Sequence, residues 1–173
     1  MLTEFYKEER VPLEKAFGKA YPSYFLDPDA EYQALVHSCG VIDLTHWRIL
    51  RAQGKDVTEV IVKEDVAVDG VSHDHGVLGV EGPKAKDVIY RLLGAGRLPK
   101  SPLAVVEREF EDFTILVIQN SATGEPGYHV RVPAGEVLRI RNYLVQAARG
   151  SDGLPVGLAV WKRRRTENGL AWY

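Results

Sequence analysis

Val77-Leu78-Gly79-Val80 is a short apolar run, Glu81-Gly82-Pro83 interrupts it, and Ala85, Val88, Ile89 and Leu92 then recur at the spacing of one helical face. An apolar run closed by a Gly-Pro turn predicts a strand, and apolar residues at i, i+3, i+4 and i+7 predict an amphipathic helix. Pro83 suits the first helical turn, where its missing N–H has no partner to lose. Gly94 and Gly96 close the helix. A strand running through a tight turn into a helix is the unit from which the rest of the chain is read.

Upstream, the segment from Trp47 to Arg51 alternates as a strand, and Gly54 opens a short helix carrying Val57, Val60 and Ile61. Gln53-Gly54-Lys55-Asp56-Val57 and Glu81-Gly82-Pro83-Lys84-Ala85 resemble two copies of one unit. Before them, Asp29 is the expected cap of a helix in which Tyr32, Leu35, Val36 and Cys39 share a face, with Gly40 as its stop. Residues 1–26 gather Phe5, Tyr6, Phe17, Tyr21, Tyr24 and Phe25 around Pro12 and Pro22, an aromatic N-terminal arm expected to pack on a body spanning 27–173.

Downstream, Leu103 to Glu109 and Phe113 to Ile118 read as a hairpin around Phe110-Glu111-Asp112. After a turn over Asn120 to Gly127, Tyr128, Val130 and Val132 point to one side of a strand, with His129 and Arg131 on the other. From Pro133 toward Gly150 a helix buries Val137, Ile140, Leu144 and Ala147. Strands and hairpins interspersed with helices predict an α+β fold with a mixed or antiparallel sheet and packed helices.

Composition narrows function. The 173 residues are 45% apolar and 27% charged with net charge −2, as in a globular domain able to bury a core without staples. A single cysteine, Cys39, excludes an intrachain disulfide and points to a reducing, cytoplasmic setting. It lies on the apolar face of its predicted helix, where a thiol is inert. Met1 to Arg10 lacks the apolar run of a signal peptide, and no segment approaches the roughly 20 apolar residues of a membrane span. Lys162-Arg163-Arg164-Arg165 is a basic run, but the acidic balance and Glu167 favour a solvated or partner-binding face over nucleic acid. Thr123-Gly124-Glu125-Pro126-Gly127 lacks the P-loop lysine and reads as a hairpin turn.

Ser72-His73-Asp74-His75-Gly76 sets two imidazoles around a carboxylate. On a strand, His73 and His75 would share a face and offer two metal ligands, with a further one from His37, His46, His129 or a distant carboxylate. The Ser, Asp and Gly crowding reads equally as a polar turn, and no metal is expected. Trp47, Trp161 and Trp172 are either core or stacking platforms for a flat ligand.

Four stretches, in order, carry a resemblance. Gly40-Val41-Ile42-Asp43-Leu44-Thr45-His46-Trp47, Val80-Glu81-Gly82-Pro83-Lys84-Ala85, and Thr123-Gly124-Glu125-Pro126-Gly127-Tyr128 leading to Val132-Pro133-Ala134 come first. Pro155-Val156-Gly157-Leu158 with Arg165-Thr166-Glu167-Asn168-Gly169-Leu170 completes the set. They resemble the G-[LV]-x-D-[LV]-[ST]-H-M, V-Q-G-P-x-A, T-G-E-x-G-[FY]-E-x-x-[VI]-P-A and P-x-G-L-G-A-R-D-x-L-R-x-E-x-G-L signatures of the glycine cleavage T-protein (aminomethyltransferase) family. The resemblance implies a folate-binding α+β domain and one-carbon transfer to or from tetrahydrofolate.

Against that pattern the chain is shortened and divergent. The interval from His46 to Gly82 is too short for the family's central section with its catalytic aspartate, so no catalytic residue is assigned, and the C-terminal barrel is missing. Trp47 replaces the motif methionine, Ala122 a tyrosine, His129 the glutamate that holds the pterin, and Trp161 an arginine, with Lys162 replacing the acidic residue after it. With Tyr128, the first four of these form the implied cofactor-binding set. A carboxylate accepts two adjacent pterin donors and a neutral imidazole nitrogen only one, so tetrahydrofolate is expected to bind weakly or not at all. The resemblance thus implies an accessory, non-catalytic protein akin to the small gamma subunit of heterotetrameric sarcosine oxidase. Its competitor is a tetrahydrofolate-dependent aminomethyl- or methyltransferase, whole or split, with a pocket rebuilt around His129, Trp161 and His73. Sheet edge left uncovered by the missing section implies a protein partner or a homo-oligomer.

Overall fold

The computed structural model describes residues 2–47, 50–53, 67–70, 73–94 and 97–170. The N-terminal segment forms helix α1 (Thr3–Glu8) and a hairpin of β1 (Leu13–Ala16) and β2 (Lys19–Pro22), followed by α2 (Pro28–His37) and β3 (Gly40–Asp43). Strands β4 (Leu50–Gln53) and β5 (Ala67–Gly70) pair with each other. Then come β6 (His75–Glu81), α3 (Ala85–Leu93), β7 (Val105–Phe110), β8 (Phe113–Gln119), β9 (Gly127–Pro133), α4 (Val137–Arg149), β10 (Leu154–Val156) and α5 (Leu158–Glu167).

Six strands form the central sheet in the order β10-β3-β6-β9-β8-β7. Among the described residues only the β10–β3 pair of this sheet is parallel, so this is the mixed, mostly antiparallel sheet of an α+β fold. The period of two along each strand sorts side chains between two faces. Val41, Leu78, Val80, Ile115, Val117, Tyr128, Val130 and Val132 turn toward α3 and α4 and meet Val88, Ile89, Leu92, Ile140 and Leu144. Ile42, Leu44 and Val77 turn the other way, toward Tyr21 of the first hairpin and Val160 and Trp161 of α5.

The strand–turn–helix unit at β6 and α3 is where the spacing places it, with Ala85, Val88, Ile89 and Leu92 buried and Gly94 at the C-cap. Gly82 in its turn has φ +117, and a Cβ there would stand 2.5 Å from the Leu35 carbonyl oxygen and 2.6 Å from that of Ser38. That contact seats the turn on the end of α2 and admits glycine alone.

Several expectations shift. Asp27, not Asp29, caps α2: its carboxylate accepts from the Ala30 N–H at 2.9 Å, because Pro28 takes the first helical position. Helix α2 ends at His37, so Cys39 leads out of it and Gly40 opens a strand. Trp47 lies in a bend, and the strand expected from it begins at Leu50. The hairpin strand expected from Leu103 begins at Val105. In α4 the buried stripe ends on Ala148 rather than Ala147 and takes in Arg141. The helix expected after Gly54, most of the first copy of the repeat, Gly96 and Trp172 lie outside the described residues.

Within residues 1–26, Tyr6 is buried and donates to Asp43 Oδ2 at 3.1 Å. The Arg141 guanidinium sits between the rings of Phe5, Tyr6 and Phe25 at 5.0–5.3 Å, a cation–π cage joining this segment to α4. Buried Glu31 accepts the N–H groups of Phe25, Leu26 and Gly157, tying the same segment to the start of α5. Among the described residues no helix is long and apolar enough to cross a membrane.

Candidate functional site

The face of the sheet under α5 carries the groups that chemistry could use. The β9 register sets His129 opposite Gly79 of β6 and Ile118 of β8. Its imidazole is 4% exposed, with Nδ1 3.4 Å from Asn120 Nδ2 and Nε2 3.7 Å from Glu81 Oε1. That second distance exceeds hydrogen-bond length, and among the described residues Nε2 has no hydrogen-bond partner. Trp47 meets the ring edge-on, centroids 4.8 Å apart.

Glu81 is fully buried at the end of β6. It accepts from Ser121 Oγ at 3.2 Å, the Ala122 N–H at 2.5 Å, the Thr123 N–H at 2.8 Å and the Thr123 hydroxyl. Four donors on one carboxylate make the 121–123 turn an anion cradle closed by the protein itself. Gly127 is part of the fit, since a Cβ there would lie 2.8 Å from Glu81 Cγ.

A second ring cluster adjoins this one. His46 stacks on Phe17 at 4.0 Å and 6°, and meets Tyr21, Trp161 and Trp47 edge-on at 5.4, 5.7 and 6.5 Å. Burial, with the Arg165 and Lys19 cations adding to it, lowers the His46 pKa to about 4, so the ring is neutral at pH 7. Burial likewise pushes the Tyr21 phenol up to about 12. Arg165 lies 4.7 Å over Trp161 and donates to the Ala122 carbonyl, joining α5 to the turn that Glu81 holds. His46 Nδ1 and Trp161 Nε1, both buried, lack hydrogen-bond partners among the described residues.

The structure therefore brings His129, Trp47, Trp161 and Ala122 to one face, linked by these contacts. Tyr128 is on the other: it packs with Val130 and Val132 and lines a groove of about 510 Å³ with Lys86 and Gln119. His73 sits in a turn, its side chain 78% exposed and 3.2 Å from Asp74, while His75 begins β6. The two do not present a common strand face. The His75 ring nitrogens lie 3.3 and 3.5 Å from Arg131 Nη2, a cation where a metal would need an open lone pair. Among the described residues no three His, Cys, Asp or Glu side chains are grouped to hold a metal ion.

Sequence reasoning did not assign Glu81, His46, Phe17, Tyr21 or Arg165 to the site. A lone glutamate ending the apolar run of β6 was the available sign of the first, because a carboxylate there is buried and must find donors.

A mixed sheet with α3 and α4 on one face, and α5, the first hairpin and a ring-and-carboxylate cluster on the other, defines the class as an α+β domain. The model of the GCVT N-terminal domain matches residues 57–173, and the chain belongs to that family. The aminomethyltransferase of Chlorobaculum tepidum is 29% identical over 112 residues, 64% of this chain and 30% of the relative. That of Bacillus subtilis is 27% identical over 110 residues, 63% of this chain and 30% of the relative. The chain thus aligns with under a third of the length of these relatives. The crystal structure of glycine cleavage system aminomethyltransferase T from Bartonella henselae superposes with a TM-score of 0.80 at 15% identity, covering 99% of this chain and 62% of that one. That likeness is one of fold.

The family is folate-dependent, and the residues present do not fit a pterin in the manner of a free carboxylate. A neutral His129 imidazole offers one acceptor, where the resemblance implies a carboxylate that offers two. Glu81, the carboxylate beside it, is already engaged by the four donors of the 121–123 turn.

Proposed function

We propose that this chain is a divergent aminomethyltransferase-family protein of one-carbon metabolism that keeps the family's folding frame without its ordinary transfer chemistry. It acts as an accessory subunit in the cytoplasm, docked on a protein partner. The observation that carries this reading is Glu81, whose carboxylate is saturated by the chain's own backbone and hydroxyl donors; the resemblance adds that His129 replaces the carboxylate that holds a pterin.

The β7 edge supports a partner other than a second copy. Leu103 and Val105 are 69% and 55% exposed there. Same-face residues must oppose one another in antiparallel pairing. In the two registers that pair β7 most fully with itself, Glu107 meets Glu107 or Glu109 of the copy, and opposed like charges are destabilising.

A second reading, a tetrahydrofolate-dependent aminomethyl- or methyltransferase with a rebuilt pocket, draws support from His129 Nε2 and Trp161 Nε1, buried polar atoms without partners. Titration calorimetry with tetrahydrofolate and its 5-methyl form, run beside the His129→Ala variant, separates the two. The accessory reading expects no saturable heat from either protein. Saturable binding by the wild type that disappears in His129→Ala overturns it in favour of the second.

A further inference from the structure

The β1–β2 hairpin turns through two residues, Phe17 and Gly18, with φ +52 and +76. Two-residue turns of this hand favour Asn-Gly or Gly-Gly, because the left-handed region suits glycine and short polar side chains and penalises bulky rings. An aromatic residue held there signals a conformation that its surroundings impose, and such strain collects at ligand clamps and switch regions. At Phe17 the surroundings are rings: His46 stacked flat beneath, Tyr21 and Trp161 edge-on at 6.2 Å each. Yet Phe17 remains 40% exposed, so it covers the cluster from outside instead of being sealed in it.

What it covers is unsatisfied. His46 Nδ1 and Trp161 Nε1 are buried without hydrogen-bond partners, and so is His129 Nε2 beyond Trp47. A benzene ring cannot bond to them. A flat nitrogen heterocycle in the same place carries a ring nitrogen or carbonyl oxygen that can accept from the Trp161 N–H, while His46, stacked flat against it, serves as the platform. The hairpin that carries Phe17 is a separate two-stranded piece outside the central sheet. It is fastened to α5 by a Glu14–Lys162 ion pair of 2.7 Å whose side chains are 32% and 26% exposed, a tether water can reach.

We propose that the hairpin tip is a displaceable gate: Phe17 occupies the position of a flat heteroaromatic ring stacked on His46 beside Trp161, and ring ligand and hairpin tip exclude one another. This rests on reading the cluster as the ligand site of the family frame, and it adds the element that regulates entry. A closed gate lowers apparent affinity by the fraction of molecules that are open.

The test titrates wild type, Phe17→Ala and Glu14→Gln with benzimidazole, a flat heterocycle without the pterin's paired donors, following heat and tryptophan fluorescence. Phe17→Ala binds at least about tenfold tighter than wild type, having no ring to displace, and Glu14→Gln, which keeps the ring and loses the tether, at least about threefold tighter. Equal affinity in all three proteins, or binding by none, overturns the gate. The outcome is separable from the folate question. A Phe17→Ala variant that gains benzimidazole affinity but ignores tetrahydrofolate keeps the gate and rejects the folate-dependent reading alone.

Discussion

The two faces of the central sheet are finished in opposite ways. Toward α3 and α4 the sheet presents aliphatic side chains that interlock with Val88, Ile89, Leu92, Ile140 and Leu144. Toward α5 and the first hairpin it presents rings, an enclosed carboxylate and polar atoms without partners. Close packing of branched aliphatics maximises cohesion, whereas buried unpartnered polar atoms cost free energy. The first face holds the protein together, and the second is where the fold tolerates cost, as functional surfaces do.

The largest expected effect lies on the first face. Ile140→Ala removes a fully buried side chain from α4 and should destabilise the protein by about 2–5 kcal/mol, read as a fall in the urea midpoint. His129→Leu on the second face should change stability by about 1 kcal/mol or less in either direction, since the ring gives up one long contact, Nδ1 to Asn120 Nδ2 at 3.4 Å, and Nε2 has no partner to lose among the described residues. If the two losses are alike, the contrast between the faces fails.

The difference also governs what the sequence reveals. The unit from Val77 to Leu92 was legible because its apolar spacing and its Gly-Pro turn are local signals. Helix α5 was not: its buried residues, Leu158, Val160 and Trp161, crowd its first turn, and the basic run that follows masks the amphipathic pattern. Strand β3 hid inside a motif whose glycine reads as a helix stop. The burial of Glu31 and Glu81 was not read from the sequence, because burial of a carboxylate depends on donors supplied by distant loops. At the site, the placing of His129, Trp47, Trp161 and Ala122 together follows from the family resemblance. The stacking of Phe17 on His46 is a tertiary event between a hairpin tip and a loop that no spacing announces.

Glu81→Gln probes the one part of the second face that is fully satisfied. The carboxylate accepts from four donors, and an amide would turn an N–H toward one of them. Losing a charge-assisted acceptor there should cost about 1.5–3 kcal/mol, less than a large cavity in the aliphatic core. The same substitution should raise amide hydrogen exchange at Ala122 and Thr123 while leaving α3 and α4 protected. Uniform loosening across both faces would mean that the cradle and the core are one cooperative unit.

The smallest effect is a pH dependence confined to the second face. In the folded protein the His46 pKa lies at about 4, below the ordinary 6.5, so the unfolded chain takes up a proton that the folded one refuses. This group's contribution is full above pH 6.5 and is lost as pH falls from there toward 4. Asp43 works in the opposite sense, because burial raises its carboxyl above the usual range and the fold then gains from protonation at the acid end. The His46 contribution is accordingly read from the difference between wild type and a His46-perturbing variant over the interval from pH 6.5 to 4. Phe17→Ala uncovers the imidazole, so its pKa should move up toward 6.5 and the stability of the variant should vary less over that interval. An NMR titration of the His46 ring in both proteins measures the shift directly. An unchanged His46 pKa in the variant would mean that Arg165, Lys19 and the rings of Tyr21, Trp47 and Trp161 set it without the hairpin tip, leaving Phe17 a bystander on that face.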